Sequence, residues 1–330
     1  VPTALSLLCD CSDLVNALRL SNTRSLVLWF LVLRPFFVGR APSWKLLPFV
    51  LVLFWTPSSL FLFSSVYLES GAVILVLTGL EATIRRGLRG FPIAALLIRT
   101  AALIKEPAII SLPIAFSFSL ISEELPDRSS SPKHVLKRVW PNIVAGTCAA
   151  LPFLFFVIAR HQLGVQIGGI NPALAVRSWR PSLDHINLDF WANLSTTVEA
   201  SFFPTSLLIF LIGICSSVSL LLAGRRARRI ALLAIGGSFG YTVFFLVDPS
   251  SAGHLAYPRF FIWPALLFLL PLALLFDHPS TGSFVRRILQ GLILIMTSSV
   301  LAISCVSLYQ SSTTNSWQSN FSFYHQEPIY

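Results

Sequence analysis

Long apolar segments alternate with short polar ones along most of the chain. A helix of about 20 apolar residues is long enough to cross the hydrocarbon core of a bilayer. The segments that approach or exceed this length are 46–66, 67–84, 141–159, 201–223, 230–247, 260–276 and 288–309. The pattern predicts an all-α membrane protein, a polytopic helical bundle with about 8–10 transmembrane or half-membrane helices.

The N-terminal segments are less regular than the rest of the chain. Segment 1–20 is moderately apolar but contains Asp10 and Asp13, and segment 24–39 is interrupted by Arg34. We expect one of the two segments to span the membrane and the other to lie at its interface. Asp10 and Asp13 are three residues apart and share one helix face, where they either line a cavity or cap the helix.

The composition supports a membrane location. Hydrophobic residues make up 55% of the chain and charged residues 12%, against about 25% charged residues in soluble domains. The positive charges lie between the apolar segments, in clusters at Arg85, Arg86 and Arg89; at Arg128, Lys133, Lys137 and Arg138; at Arg225, Arg226, Arg228 and Arg229; and at Arg286 and Arg287. This distribution follows the positive-inside rule, so the net charge of +10 indicates topology rather than nucleic-acid binding.

Cytoplasmic basic clusters give each segment a direction. A single membrane domain over residues 1–330 then has spans and a broken helix pair in 46–121, an outer loop at 160–200, four spans in 201–309 and an outer tail at 310–330. Glycosylation sequons at Asn193 and Asn320 both fall on the outer side. The five cysteines show neither metal nor disulfide spacing, and no metal site is predicted.

Residues 91–121 lie between two basic clusters, so they must cross the membrane an even number of times. They are too few for two full spans, and the sequence Lys105-Glu106-Pro107 interrupts them. We expect two half-helices that meet near the outer side with the charged pair at their apex. The pair either stabilises a kink as a mutual ion pair or presents Lys105 to a phosphate, and we favour the phosphate.

Other candidate site residues lie at the outer ends of segments. Glu69 opens segment 67–84, either as a carboxylate favoured by the helix dipole or as the lining of an outer cavity. Arg259, with Tyr257 and His254 close before it, stands where segment 260–276 begins. An interfacial Arg beside Tyr is ordinary snorkelling, so Arg259 alone would not indicate a site.

Three blocks of the sequence run from Phe54 to Gly87, from Ala101 to Pro113, and from Ala256 to Pro264. In this order they resemble the GT-C superfamily of integral-membrane glycosyltransferases. Within it, the resemblance is to the dolichyl-phosphate-mannose protein mannosyltransferase-like and RgtA/B/C/D-like families. The last block is similar to the Arg-Tyr-x-x-x-x-Pro signature of these families, with Phe260 in place of Tyr and three residues rather than four before Pro264.

The resemblance implies an inverting transfer of a sugar, with mannose as the default, from a polyprenyl or dolichyl phosphate to a protein, lipid or glycan. The reaction would occur at the luminal face of the endoplasmic reticulum or the periplasmic face of a bacterial inner membrane. Lys105 and Arg259 would face the donor phosphate, with Glu69, Tyr257 and His254 near them. The family's catalytic Asp follows its first span, so we expect the sequence, which starts at Val1, to be a fragment lacking that base.

The resemblance implies no cofactor or obligatory metal, because the donor carries no nucleotide. Two other functions stay open. A transporter or lipid flippase predicts sequence repeats and a polar pathway through the membrane, and neither is visible. A non-catalytic relative that binds membrane lipid is the third possibility.

Overall fold

The computed structural model describes residues 29–39, 49, 52, 69–123, 132–162, 191–192, 206–247, 262–275 and 284–314. Helices are the only regular secondary structure in these residues, so the all-α prediction is confirmed for them. A π-helical segment covers Trp29–Val38. The α-helices are α1 (Glu69–Arg86), α2 (Phe91–Ile104), α3 (Ser111–Ser122), α4 (Pro132–Gln162), α5 (Ser206–Leu221), α6 (Arg225–Val247), α7 (Ile262–Leu275) and α8 (Phe284–Thr314).

Helix α1 lies at the centre of the first half of the chain. It is buried on all sides: from Ala72 to Ile84 every residue except Leu75 is shielded from solvent. Helices α2 and α3 and the π-helical segment pack around it. Gly79 allows the closest approach, since a Cβ atom there would lie 3.3 Å from the Cα of Ala94 in α2. Small residues at such a contact let two helix backbones approach each other.

Helices α2 and α3 form the broken hairpin that the sequence predicts for residues 91–121. The Leu88 amide donates to the Glu123 carboxylate (3.1 Å), so the start of α2 lies beside the end of α3. The Phe91 and Phe116 rings, 5.2 Å apart, pack edge to face between the two helices. Their far ends are joined by a 3-10 turn at Glu106–Ile110. The break falls at the predicted Lys105-Glu106-Pro107 sequence.

The second half of the described chain packs α5, α6, α7 and α8 together. Helices α6 and α7 are antiparallel, because the Ser238 hydroxyl donates to the Pro264 carbonyl oxygen (2.8 Å) while Gly237 faces Leu267 further along α7. Helix α7 is almost entirely buried, with the Trp263 side chain fully shielded at its start. An apolar helix of this kind forms the core of a bundle.

The helix bounds follow the predicted apolar segments wherever the structure describes them. Helix α1 matches segment 67–84, α6 contains 230–247 and α7 lies within 260–276. Segment 46–66 and segment 1–20 lie outside the described residues, apart from Phe49 and Val52, which are buried. No helix in the described part of the chain combines the length and the apolar character that crossing a membrane requires.

Candidate functional site

The break between α2 and α3 places Lys105 at the end of a helix. Helix α2 ends at Ile104, and the Lys105 backbone is extended, with φ −148° and ψ 116°. Its amide still donates to the Ala101 carbonyl oxygen (2.8 Å), and its own carbonyl oxygen accepts from the Ala108 amide (3.1 Å). Pro107 accounts for the end of α2, because proline has no amide hydrogen and, in a continuing helix, its ring would clash with the carbonyl four residues earlier.

A tyrosine from α6 holds the break in place. The Tyr241 hydroxyl donates to the Pro107 carbonyl oxygen (3.1 Å) and lies 2.6 Å from the Ser111 hydroxyl. Since a hydroxyl has a single hydrogen, Ser111 is the donor in the shorter bond. Both side chains are buried, so this bridge links the 3-10 turn and the start of α3 to the middle of the second half-bundle.

The start of α7 lies beside the same bridge. The Trp263 indole stacks on the Tyr241 ring, with centroids 6.1 Å apart and planes 16° from parallel. Its buried indole nitrogen has no hydrogen-bond partner in the described part of the structure. Through this stacking, Trp263 brings the start of α7 to the end of the bundle that carries Lys105.

The start of α1 belongs to this end as well. Helices α1 and α2 are antiparallel neighbours, and α1 also contacts the 3-10 turn. Glu69 is the first residue of α1, and Glu106 is the first residue of the turn; their backbones are described and their side chains are not. The other predicted site residues lie outside the described residues: Asp10, Asp13, Asn193, His254, Tyr257, Arg259 and Asn320.

The opposite end of α1 carries a charge network that sequence reasoning missed. Arg34, which is 1% exposed, donates through Nε to both Glu81 carboxylate oxygens (3.0 and 3.1 Å) and through a terminal nitrogen to Oε1 (2.9 Å). Arg85 contacts the same Oε1 (2.9 Å). The signal in the sequence was the four-residue spacing of Glu81 and Arg85, which share a helix face. Arg34 therefore lies in the protein interior, bound to α1.

Three of the four basic clusters lie around this network. Arg138 of α4 pairs with Glu123 at the end of α3 (2.6 Å). Arg226 of α6 donates to the Ile84 carbonyl oxygen of α1 (3.0 Å). We name this region the basic end, and it comprises Arg85, Arg86, Arg89, Lys137, Arg138, Arg225, Arg226, Arg228 and Arg229. Lys105 and the basic end lie at opposite ends of the α1–α2 pair.

Comparison of the chain with protein-family models, with curated proteins and with solved structures found no match. In the described part of the chain, no group of His, Cys, Asp and Glu side chains is arranged to hold a metal ion. Cys148 and Cys215 are free thiols. The described residues place the Lys105 ammonium and the Tyr241 and Ser111 hydroxyls at the break, and guanidinium groups paired in part with Glu81 and Glu123 at the basic end.

Proposed function

We propose that the chain is a polytopic membrane protein, and the distribution of exposed side chains supports this. Large apolar residues cover the outward faces of the outer helices, where a soluble bundle would carry charges. They include Phe155 in α4, Phe210 in α5, Phe239 in α6 and Ile295 in α8. The proposal rests on these helix faces together with the collection of arginines at one end.

We further propose that the protein is a glycosyltransferase that uses a polyprenyl-phosphate sugar. The observation that carries this is that the Lys105 break and the start of α7 meet at the Tyr241 bridge. Arg259 stands three residues before α7 in the sequence, and we propose that it and Lys105 bind the same lipid phosphate.

In the proposed reaction an acceptor hydroxyl attacks the anomeric carbon of the donor sugar from the face opposite the phosphate. The new glycosidic bond forms as the bond to the phosphate oxygen breaks, which inverts the configuration. Negative charge develops on the leaving phosphate, and Lys105 and Arg259 stabilise it electrostatically. A carboxylate removes the acceptor proton as general base. Glu69 is the first residue of α1, which begins at the same end as Lys105, and we propose that it lies beside the acceptor.

The decisive test is transfer activity in membranes that contain the full-length protein, with radiolabelled polyprenyl-phosphate mannose, glucose and galactose offered as donors. Wild-type membranes should move label to lipid, protein or glycan. Lys105→Ala and Arg259→Ala should each reduce the rate at least about 100-fold, as removal of an electrostatic stabiliser does. Lys137→Ala removes an exposed lysine from the basic end and is the matched control.

Transfer at the wild-type rate by both site variants would remove these residues from the site. A lack of transfer from every donor by folded, full-length protein would favour the transporter. The buried Arg34–Glu81–Arg85 network supports that alternative, since charged groups within a membrane bundle often mark transport pathways. Uptake of labelled solute into vesicles, abolished by Glu81→Gln, would then replace the enzyme hypothesis.

A further inference from the structure

Within the described residues, the basic end holds more arginines and lysines than carboxylates. Among the residues that the structure describes, its carboxylates are Glu81 and Glu123. Glu81 is bound by Arg34 and Arg85, and Glu123 by Arg138. Both acids are thus already engaged within the bundle. Arg89, Arg225 and Arg229 are exposed and have no ion-pair partner within the described residues.

Other arginines at this end are held by backbone carbonyl oxygens. Arg226 donates to Ile84 (3.0 Å) and Arg86 to Val38 (3.3 Å), while Arg228 donates to Leu221 (3.1 Å). A guanidinium has five N–H donors, and a single carbonyl leaves most of them available. These contacts orient the arginines without neutralising them, which lowers the entropy lost when they bind an anion.

The positions of these charges indicate which class of anionic ligand the basic end binds. Apolar side chains cover the helix faces next to the basic end, such as Leu222 at the end of α5 and Leu232 in α6. A cationic surface that borders an apolar one matches the boundary between phospholipid headgroups and acyl chains. Guanidinium groups bind phosphate oxygens in a bidentate manner.

We propose that the basic end binds the headgroup phosphates of anionic phospholipids, with Arg89, Arg225 and Arg229 as the principal contacts. This inference rests on the membrane location proposed above and is independent of the glycosyltransferase activity. The ligand is a structural lipid at the face opposite Lys105, and it is not the sugar donor.

The test begins with carbonate extraction of membranes, which decides whether the protein is integral. The purified full chain is then reconstituted in nanodiscs of phosphatidylcholine with or without phosphatidylglycerol, and the lipids that it retains are counted by native mass spectrometry. Wild-type protein should prefer phosphatidylglycerol by roughly 100-fold, because each arginine near the surface contributes about a factor of five. The preference should weaken in about 1 M salt, where the Debye length is about 3 Å.

Variants assign the effect to these residues. Arg89→Gln/Arg225→Gln/Arg229→Gln should lose most of the preference, while the corresponding triple Lys variant should keep most of it. Arg99→Gln, a cation within α2, is the control and should behave as wild type. Circular dichroism and a monodisperse elution profile establish that each variant is folded, and the salt dependence of the wild type tests the proposal without any variant.

The results of this test distinguish a failure of the lipid-binding inference from a failure of the proposed membrane location. Release by carbonate would overturn the membrane location itself. A carbonate-resistant protein with no preference for phosphatidylglycerol would overturn the inference alone, as would a preference that the triple Gln variant retains. The inference would also be overturned if heparin, a soluble polyanion, competed with phosphatidylglycerol and bound the protein equally well.

Discussion

Replacing Tyr241 with Phe tests how the break beside Lys105 is held. The substitution removes one oxygen and leaves the ring, so the stacking on Trp263 is retained. It deletes the bond to the Pro107 carbonyl oxygen (3.1 Å) and the bond from the Ser111 hydroxyl (2.6 Å). Tyr241 is 1% exposed and Ser111 is fully buried, so water cannot replace these bonds without opening the bundle.

Leaving a buried donor or acceptor unsatisfied costs about 1–3 kcal/mol. Tyr241→Phe should therefore lower the free energy of unfolding by about 2 kcal/mol. Ser111→Ala removes only the shorter bond and should cost about 1 kcal/mol. The double variant should lose about 2 kcal/mol, which is about 1 kcal/mol less than the two single losses added together. The reason is that both single variants delete the same bond between Ser111 and Tyr241.

Unfolding would be followed by tryptophan fluorescence in mixed micelles with increasing dodecyl sulfate. Thr242→Val is the matched control, since the Thr242 hydroxyl donates to Ser238 within α6 and links no other helix. A Tyr241→Phe variant within about 0.5 kcal/mol of wild type, the range of ordinary surface substitutions, would refute the bridge. In the transfer assay the same variant should lower turnover, because Lys105 loses its support.

Glu81→Gln should cost about 3 kcal/mol, since it removes a buried carboxylate shared by the buried Arg34 and the partly exposed Arg85. Glu123→Gln should cost less than about 1 kcal/mol, because its arginine partner is half exposed. Chemical unfolding measures the loss of stability in both variants. Equal losses would contradict the deeper burial of Glu81 and its arginine partners. Gly90→Ala should cost about 1–3 kcal/mol, because its Cβ would collide with the Ala82 carbonyl oxygen. Gly236→Ala should be neutral or stabilising, because the space at its Cβ is open. A lower melting temperature for Gly236→Ala than for Gly90→Ala would contradict the packing described here.

The interior of α1 shows how far local sequence carries the prediction. The sequence predicts the helix, the apolar segment within it and the arginines at its C-terminal end. It does not predict the partner of Glu81, because Arg34 lies 47 residues away and looks like the interruption of an apolar segment. An arginine in such a segment is equally compatible with snorkelling and with a buried ion pair, and only the neighbouring helix decides between them.

The Tyr241 bridge illustrates the same difference on the other side of the bundle. In the sequence Tyr241 is one aromatic residue in an apolar run. Its role depends on α6 lying against the 3-10 turn, 134 residues from Pro107 in the chain. No periodicity of α6 alone contains that information.

By itself the sequence predicted helices for the apolar segments that the structure describes, the break between α2 and α3, and the shared side of the clusters that contain Arg85, Arg138 and Arg226. These properties depend on the length of apolar runs, on the missing amide hydrogen of Pro107 and on the positions of charges, all of which are local. The tertiary structure decided that Arg34 is buried against Glu81 and that the Lys105 break meets the start of α7. Those contacts join residues distant in the chain, so they follow from which helices become neighbours when the bundle packs.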